Sequence, residues 1–100
     1  LVHSGGTPAD VTAIPQELIH YAQLCDSADV SANRDYAIEA SSNRLAPGEG
    51  RFPFQAFLQL LPTTATLEIE VPQPQNRPAG ERVKAIVDAT RRQLGLAGRE

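Results

Sequence analysis

The 100-residue chain has no methionine, no tryptophan, one cysteine and only 5% aromatic residues. Without methionine it does not open at a start codon, so an internal or C-terminal segment of a longer protein is expected. A single cysteine excludes an internal disulfide, which fits a reducing cytoplasm. No apolar run approaches the roughly 20 residues of a membrane span. Leu1 also opens without the charged and apolar regions of a signal peptide, so neither membrane nor export is expected. Basic charge is scarce: nine Lys and Arg stand against twelve Asp and Glu, for a net charge of −3. That balance argues against nucleic acid as a partner. Arg91-Arg92 is the only basic doublet, and Asp88 lies within helical pairing distance of it. Zinc-type Cys/His spacing, a phosphate-binding loop, a nucleophile elbow and internal repeats are all missing.

What remains is ordinary globular composition, 41% hydrophobic and 21% charged, and residues 1–100 read as one unit. The chain is organised around residues 44–72. Pro47, Gly48 and Gly50 force a turn, and Pro53 suits the first position of a helix. Phe54, Phe57, Leu58 and Leu61 then recur at the spacing of one buried helical face, and Pro62 ends it. Leu67, Ile69 and Val71 alternate with Glu68 and Glu70, which predicts a strand over 66–71 with an apolar and an acidic face. Three readings of that acidic face stay open: solvated surface, internal salt bridge, or the wall of a polar cavity holding a metal or a substrate.

Residues 1–6 read as a strand end running into a Gly-Gly turn. Thr7, Pro8 and Asp10 then give a helix start, cut short by Pro15, with one further turn at 16–18. Residues 19–25 predict a strand that is largely apolar on both faces, covered on both sides as in a parallel sheet. Cys25, on that strand, reads as a small buried hydrophobe rather than a nucleophile. Residues 27–43 are polar and aperiodic, apart from a possible helical turn at 36–40; so long a connection is usually functional or mobile. The last helix is expected over 79–94, burying Val83, Ile86, Val87, Thr90 and Leu94, with Gly95 as its terminator and a frayed end beyond. Strand, loop, helix and strand in this order indicate a right-handed parallel crossover, with functional loops beyond the carboxyl ends of the strands.

Taken together, the QLCD motif at 23–26, PGEG at 47–50 and EIEVP at 68–72 resemble the C-terminal part of the sugar phosphate isomerase/epimerase family. Its members are xylose isomerase-like barrels, a superfamily that includes endonuclease IV and inosose dehydratases. The similarity runs from the SGGTP motif at 4–8 through the last helix. It implies an α/β fold: part of a (β/α)8 TIM barrel, contributing the last two complete βα units with parallel strands. A whole barrel takes roughly 250 residues, so this stretch does not close one alone.

The resemblance also implies a site at the carboxyl mouth of the barrel, where carboxylates and a His from successive strands hold a divalent metal. Glu70 matches the last-strand Glu, as metal ligand and catalytic residue. Gln23 stands where many members carry the His of a His-x-x-Asp pattern, and Asp26 matches that Asp, beside substrate. A Gln amide oxygen suits Mg or Mn better than Zn. Arg44 matches a basic position that meets a substrate phosphate or carboxylate. The implied function is metal-dependent isomerisation or epimerisation of a sugar or sugar phosphate in the cytoplasm. Its chemistry is proton transfer next to a carbonyl or hydroxyl-bearing carbon. The alternative is a sugar-binding or regulatory barrel that has lost its metal, as Gln23 in place of His suggests. DNA repair of the endonuclease IV kind lacks a basic groove.

Overall fold

The computed structural model describes residues 1–28, 37, 40 and 43–99. In chain order these form a 3-10 turn (Val2–Ser4), helix α1 (Pro8–Val11) and a second 3-10 turn (Gln16–Leu18). Strand β1 (Tyr21–Leu24), helix α2 (Phe54–Leu60), strand β2 (Thr66–Ile69) and helix α3 (Ala79–Leu96) follow. Most of the 27–43 connection, including residues 36, 38 and 39 of the possible turn at 36–40, lies outside the described residues.

The two strands are neighbours and run parallel, with Tyr21 opposite Thr66, Ala22 opposite Leu67, Gln23 opposite Glu68 and Leu24 opposite Ile69. The ladder continues past both ends. Thr66 N–H donates to the His20 carbonyl at 3.0 Å, and Glu70 N–H to the Leu24 carbonyl at 3.1 Å. Parallel strands cannot be joined by a tight turn, and α2 supplies the crossover. Its apolar stripe buries Phe54 and Leu58 against Leu24 of β1, with Ala22, Leu67 and Leu94 packed around them. Burial of a side chain such as Leu58 contributes about 1.5–3 kcal/mol. Pro53 precedes α2 as its N-cap rather than occupying its first turn, and Leu61 turns extended ahead of Pro62.

Several boundaries depart from expectation, each for a local reason. Residues 1–6 are not a strand end: Ser4 donates through both N–H and Oγ to the Leu1 carbonyl, closing a 3-10 turn. The strand at 19–25 is not apolar-covered on both sides. Ala22 and Leu24 face the core, whereas Tyr21 is 60% exposed and Gln23 is exposed too. Among the described residues, the side of β1 that carries Ala22 and Leu24 is the one packed in the core with α2. In α3 the buried residues are Ala89 and Thr90, while Val83 is 60% exposed. Thr90 accommodates burial by donating its hydroxyl to the Ile86 carbonyl at 2.8 Å. The helix also runs through Gly95 to Leu96, closed by Gly98 N–H on the Gly95 carbonyl and Arg99 N–H on the Leu94 carbonyl.

Residues 97–99, expected to fray, are held in place by hydrogen bonds. The Arg99 guanidinium donates to the carbonyls of Leu58, Leu61 and Pro62 at 2.9–3.0 Å. Those carbonyls belong to the last turn of α2 and the residues after it, where no intrahelical donor remains. A cation at a helix C-terminus also complements its dipole. The tail thereby ties α3 to α2.

Candidate functional site

The carboxyl ends of β1 and β2 gather most of the residues singled out by the sequence. Side chains on one face of a strand alternate with those on the other, so Gln23 of β1 and Glu68 of β2 share the open face. Gln23 Nε2 donates to Glu68 Oε2 at 3.3 Å, a bond exposed to solvent. Glu70 follows β2 with its side chain exposed. Arg44 bridges the two strand ends: its N–H donates to the Pro72 carbonyl at 2.8 Å, and its Nη1 to Cys25 Sγ at 3.5 Å. The guanidinium carbon lies 6.0 Å from the centre of the Phe52 ring, within reach of a cation–π contact.

A cavity of ≈ 320 Å³ opens beside β1, lined by Gln23, Cys25 and Arg44 together with apolar Phe52, Phe57 and Leu61. No residue of β2 lines it. The structure thus brings Gln23 and Arg44 into one cavity and leaves Glu70 outside it, on the solvent side of the strand ends. Cys25, expected to be buried, is half-buried beside Arg44.

Asp26 is placed differently. Its backbone forms an antiparallel bridge with Leu45, N–H to carbonyl in both directions at 2.9 Å. Its side chain is 0% exposed and points into the loop that contains PGEG. Oδ1 accepts from the N–H groups of Ser27 at 2.8 Å and Phe52 at 3.0 Å. Oδ2 accepts from those of Gly48 at 2.9 Å and Gly50 at 3.0 Å. A carboxylate has about four lone-pair positions, and backbone donors occupy that number here. The glycines make this wrapping possible. Gly48 has φ +87°, a left-handed conformation that other residues rarely adopt. A Cβ on Gly50 would collide with the Ser27 carbonyl and Asp26 Oδ1.

Sequence reasoning selected Asp26 but not its partners, and it passed over Phe52 and Gln73. The Gln73 amide oxygen is buried and has no hydrogen-bond partner among the described residues, an acceptor that calls for a donor. No sequence pattern marks it. For a metal, the segment offers two hard oxygen donors, the Glu70 carboxylate and the Gln23 amide oxygen that remains after Nε2 has bonded Glu68. Among the described residues no three His, Cys, Asp or Glu side chains are grouped closely enough to hold an ion. Carboxylate and amide oxygens are of the type that Mg or Mn takes, and a shell would need further ligands. Among the described residues no helix is long and apolar enough to cross a membrane.

No family model, no curated protein and no solved structure matches this chain.

Proposed function

We propose that these residues are the C-terminal part of a (β/α)8 barrel that isomerises or epimerises a sugar or sugar phosphate with a divalent metal, in the cytoplasm. The observation that carries the reading is the parallel β1–α2–β2 unit with a polar sheet face. Gln23 and Glu68 lie side by side on that face, and Glu70 and Arg44 meet the carboxyl ends of the strands. Polar residues at that end, with helices packed on the opposite face, are what an inward-facing barrel wall requires. The resemblance of the 23–26, 47–50 and 68–72 motifs to the sugar phosphate isomerase/epimerase family suggests the reaction.

In this proposal the exposed Glu70 carboxylate is both ligand and proton acceptor. The Gln23 amide orients a substrate hydroxyl or completes the ligand set. Arg44 receives a phosphate or carboxylate, as a planar donor fork does. A metal, when bound, supplies polarisation of the substrate oxygens. Asp26 has no acceptor position left for a substrate and is left outside the chemistry.

The test is Glu70→Gln in the longer protein that this reading requires. The amide keeps the shape and removes the charge. Metal-dependent turnover of an aldose or ketose is expected to be lost, metal affinity measured by calorimetry to fall, and the melting temperature to stay nearly unchanged. Parent-like turnover and affinity would remove Glu70 from the site. Sugar binding without turnover in the unmutated protein would favour the metal-free binding barrel instead.

A further inference from the structure

We propose that Asp26 is a positioning residue: a buried carboxylate around which loop 47–52 is shaped, fixing Arg44 and Phe52 at the wall of the cavity. The proposal stands on the loop geometry and goes beyond the sugar reading, so neither depends on the other's success.

Asp26 acts in two directions, on Phe52 through its carboxylate and on Leu45 through its main chain. Through Oδ1 it holds the Phe52 N–H at 3.0 Å, and the Phe52 ring lines the cavity beside Arg44. Through its backbone bridge to Leu45 it fixes the residue next to Arg44, whose own N–H is anchored on Pro72. Gly48 and Gly50 donate to Oδ2 between these two points, and Arg51 N–H adds a bond to the Ser27 carbonyl at 2.8 Å. Backbone N–H groups converging on one point form an anion-binding concavity, and here those of alternate residues 48, 50 and 52 do so while the N–H groups of 49 and 51 bond elsewhere. In this protein the anion is tethered: the chain fills the concavity with its own side chain.

Charge and acceptor count, not shape alone, are what the loop needs. An Asn in this place keeps one oxygen but turns an NH2 group towards two N–H donors. A Gly leaves the concavity vacant, and a free carboxylate of the right size can then enter. The experiment uses the full chain, with amide hydrogen exchange followed residue by residue in the parent, Asp26→Asn and Asp26→Gly.

In Asp26→Asn the Gly48, Gly50 and Phe52 amides are expected to exchange at least about tenfold faster, the factor carried by one lost hydrogen bond to a charged acceptor. The ladder amides of Thr66 and Glu70 should change far less. In Asp26→Gly, formate should slow the three loop amides again with a saturating dependence, while chloride at equal ionic strength should not. Unchanged loop exchange in Asp26→Asn overturns the proposal. So does equal acceleration of loop and ladder in a folded Asp26→Asn, or absence of a formate-specific effect in Asp26→Gly. If Asp26→Asn does not fold, formate-dependent recovery of the folded spectrum of Asp26→Gly supports the role, and no recovery overturns it.

Discussion

Two carboxyl groups lie just beyond the ends of adjacent parallel strands and meet opposite fates. Asp26, after β1, is sealed from solvent and receives four backbone N–H bonds. Glu70, after β2, is exposed, and its backbone is engaged in the ladder with Leu24. The difference arises in the loops rather than the strands. The chain after β1 returns through a Gly-containing turn whose N–H groups close around the first acid. The chain after β2 leaves through Pro72 and Pro74, which lack N–H groups to offer. An acid surrounded by its own backbone is committed to architecture, whereas an acid left in solvent remains available for chemistry. Position at the end of a strand therefore does not by itself identify a catalytic residue.

The largest expected effect breaks the enclosed member of this pair. Asp26→Ala leaves four backbone donors without their acceptor. Since hydrogen bonds to charged groups contribute about 1.5–3 kcal/mol each without adding simply, the loss should exceed about 3 kcal/mol. Glu68→Ala and Glu70→Ala remove exposed side chains and should each change stability by no more than about 0.5 kcal/mol. Urea unfolding of the three variants provides the comparison. Similar midpoints for Asp26→Ala and Glu70→Ala would show that the enclosure contributes nothing.

A smaller effect sharpens the same contrast through glycine. In Gly50→Ala the new methyl group meets the Ser27 carbonyl and Asp26 Oδ1, so loop or carboxylate must shift. A loss of about 1–3 kcal/mol is expected, as for other overpacked sites. Gly80, in the first turn of α3, has nothing within 4 Å of the corresponding position. There the better helix former should stabilise by up to about 1 kcal/mol. Thermal melting of both variants should give shifts of opposite sign. A shift of the same sign in both would indicate that backbone conformation, not the close approach to Asp26, governs residue 50.

Where structure follows from neighbours in sequence, the chain was legible. Thr7, Pro8 and Asp10 announced the start of α1, and the Asp10 carboxylate does accept the Thr7 N–H at 2.7 Å. The Phe54–Leu58 stripe and the alternation at 67–69 likewise predicted α2 and β2. Parallel pairing followed from the need for a crossover. The readings that failed depended on what packs where. Nothing in residues 19–25 reveals that the Ala22–Leu24 side is the one that packs in the core with α2. Nothing in a C-terminal Arg99 reveals carbonyls some forty positions earlier. The same limit applies to the site: Asp26 could be chosen by type and motif, but its acceptors are filled by main-chain groups, which leave no side-chain signature. Gly48 and Gly50 were the available clue, because glycines beside a distant acid permit the backbone to approach it.

The smallest effect concerns a third kind of acid, neither enclosed nor alone. Asp88 and Lys84, one turn apart on α3, lie 2.6 Å from each other, the Lys84 side chain well exposed and that of Asp88 partly so. The hydrogen bond from Lys84 holds the Asp88 carboxyl below its ordinary range, with the Lys84, Arg91 and Arg92 charges acting in the same direction. The sign follows from linkage. A carboxyl that ionises more readily in the folded chain contributes stability above its unfolded pKa, and that contribution disappears as pH falls through the folded value. The window lies below about pH 4, where aspartate titrates. In water such a pair is screened, so the change should be hard to detect in unfolding. The residue-resolved titration is the sensitive measurement. In Lys84→Gln the Asp88 carboxyl carbon, followed by NMR, should titrate at higher pH than in the parent, while chemical shifts in loop 47–52 remain in place. An Asp88 titration indifferent to Lys84 would show that the helix alone sets its acidity. A response in the loop would show that the exposed and enclosed acids are coupled, against the separation on which the comparison rests.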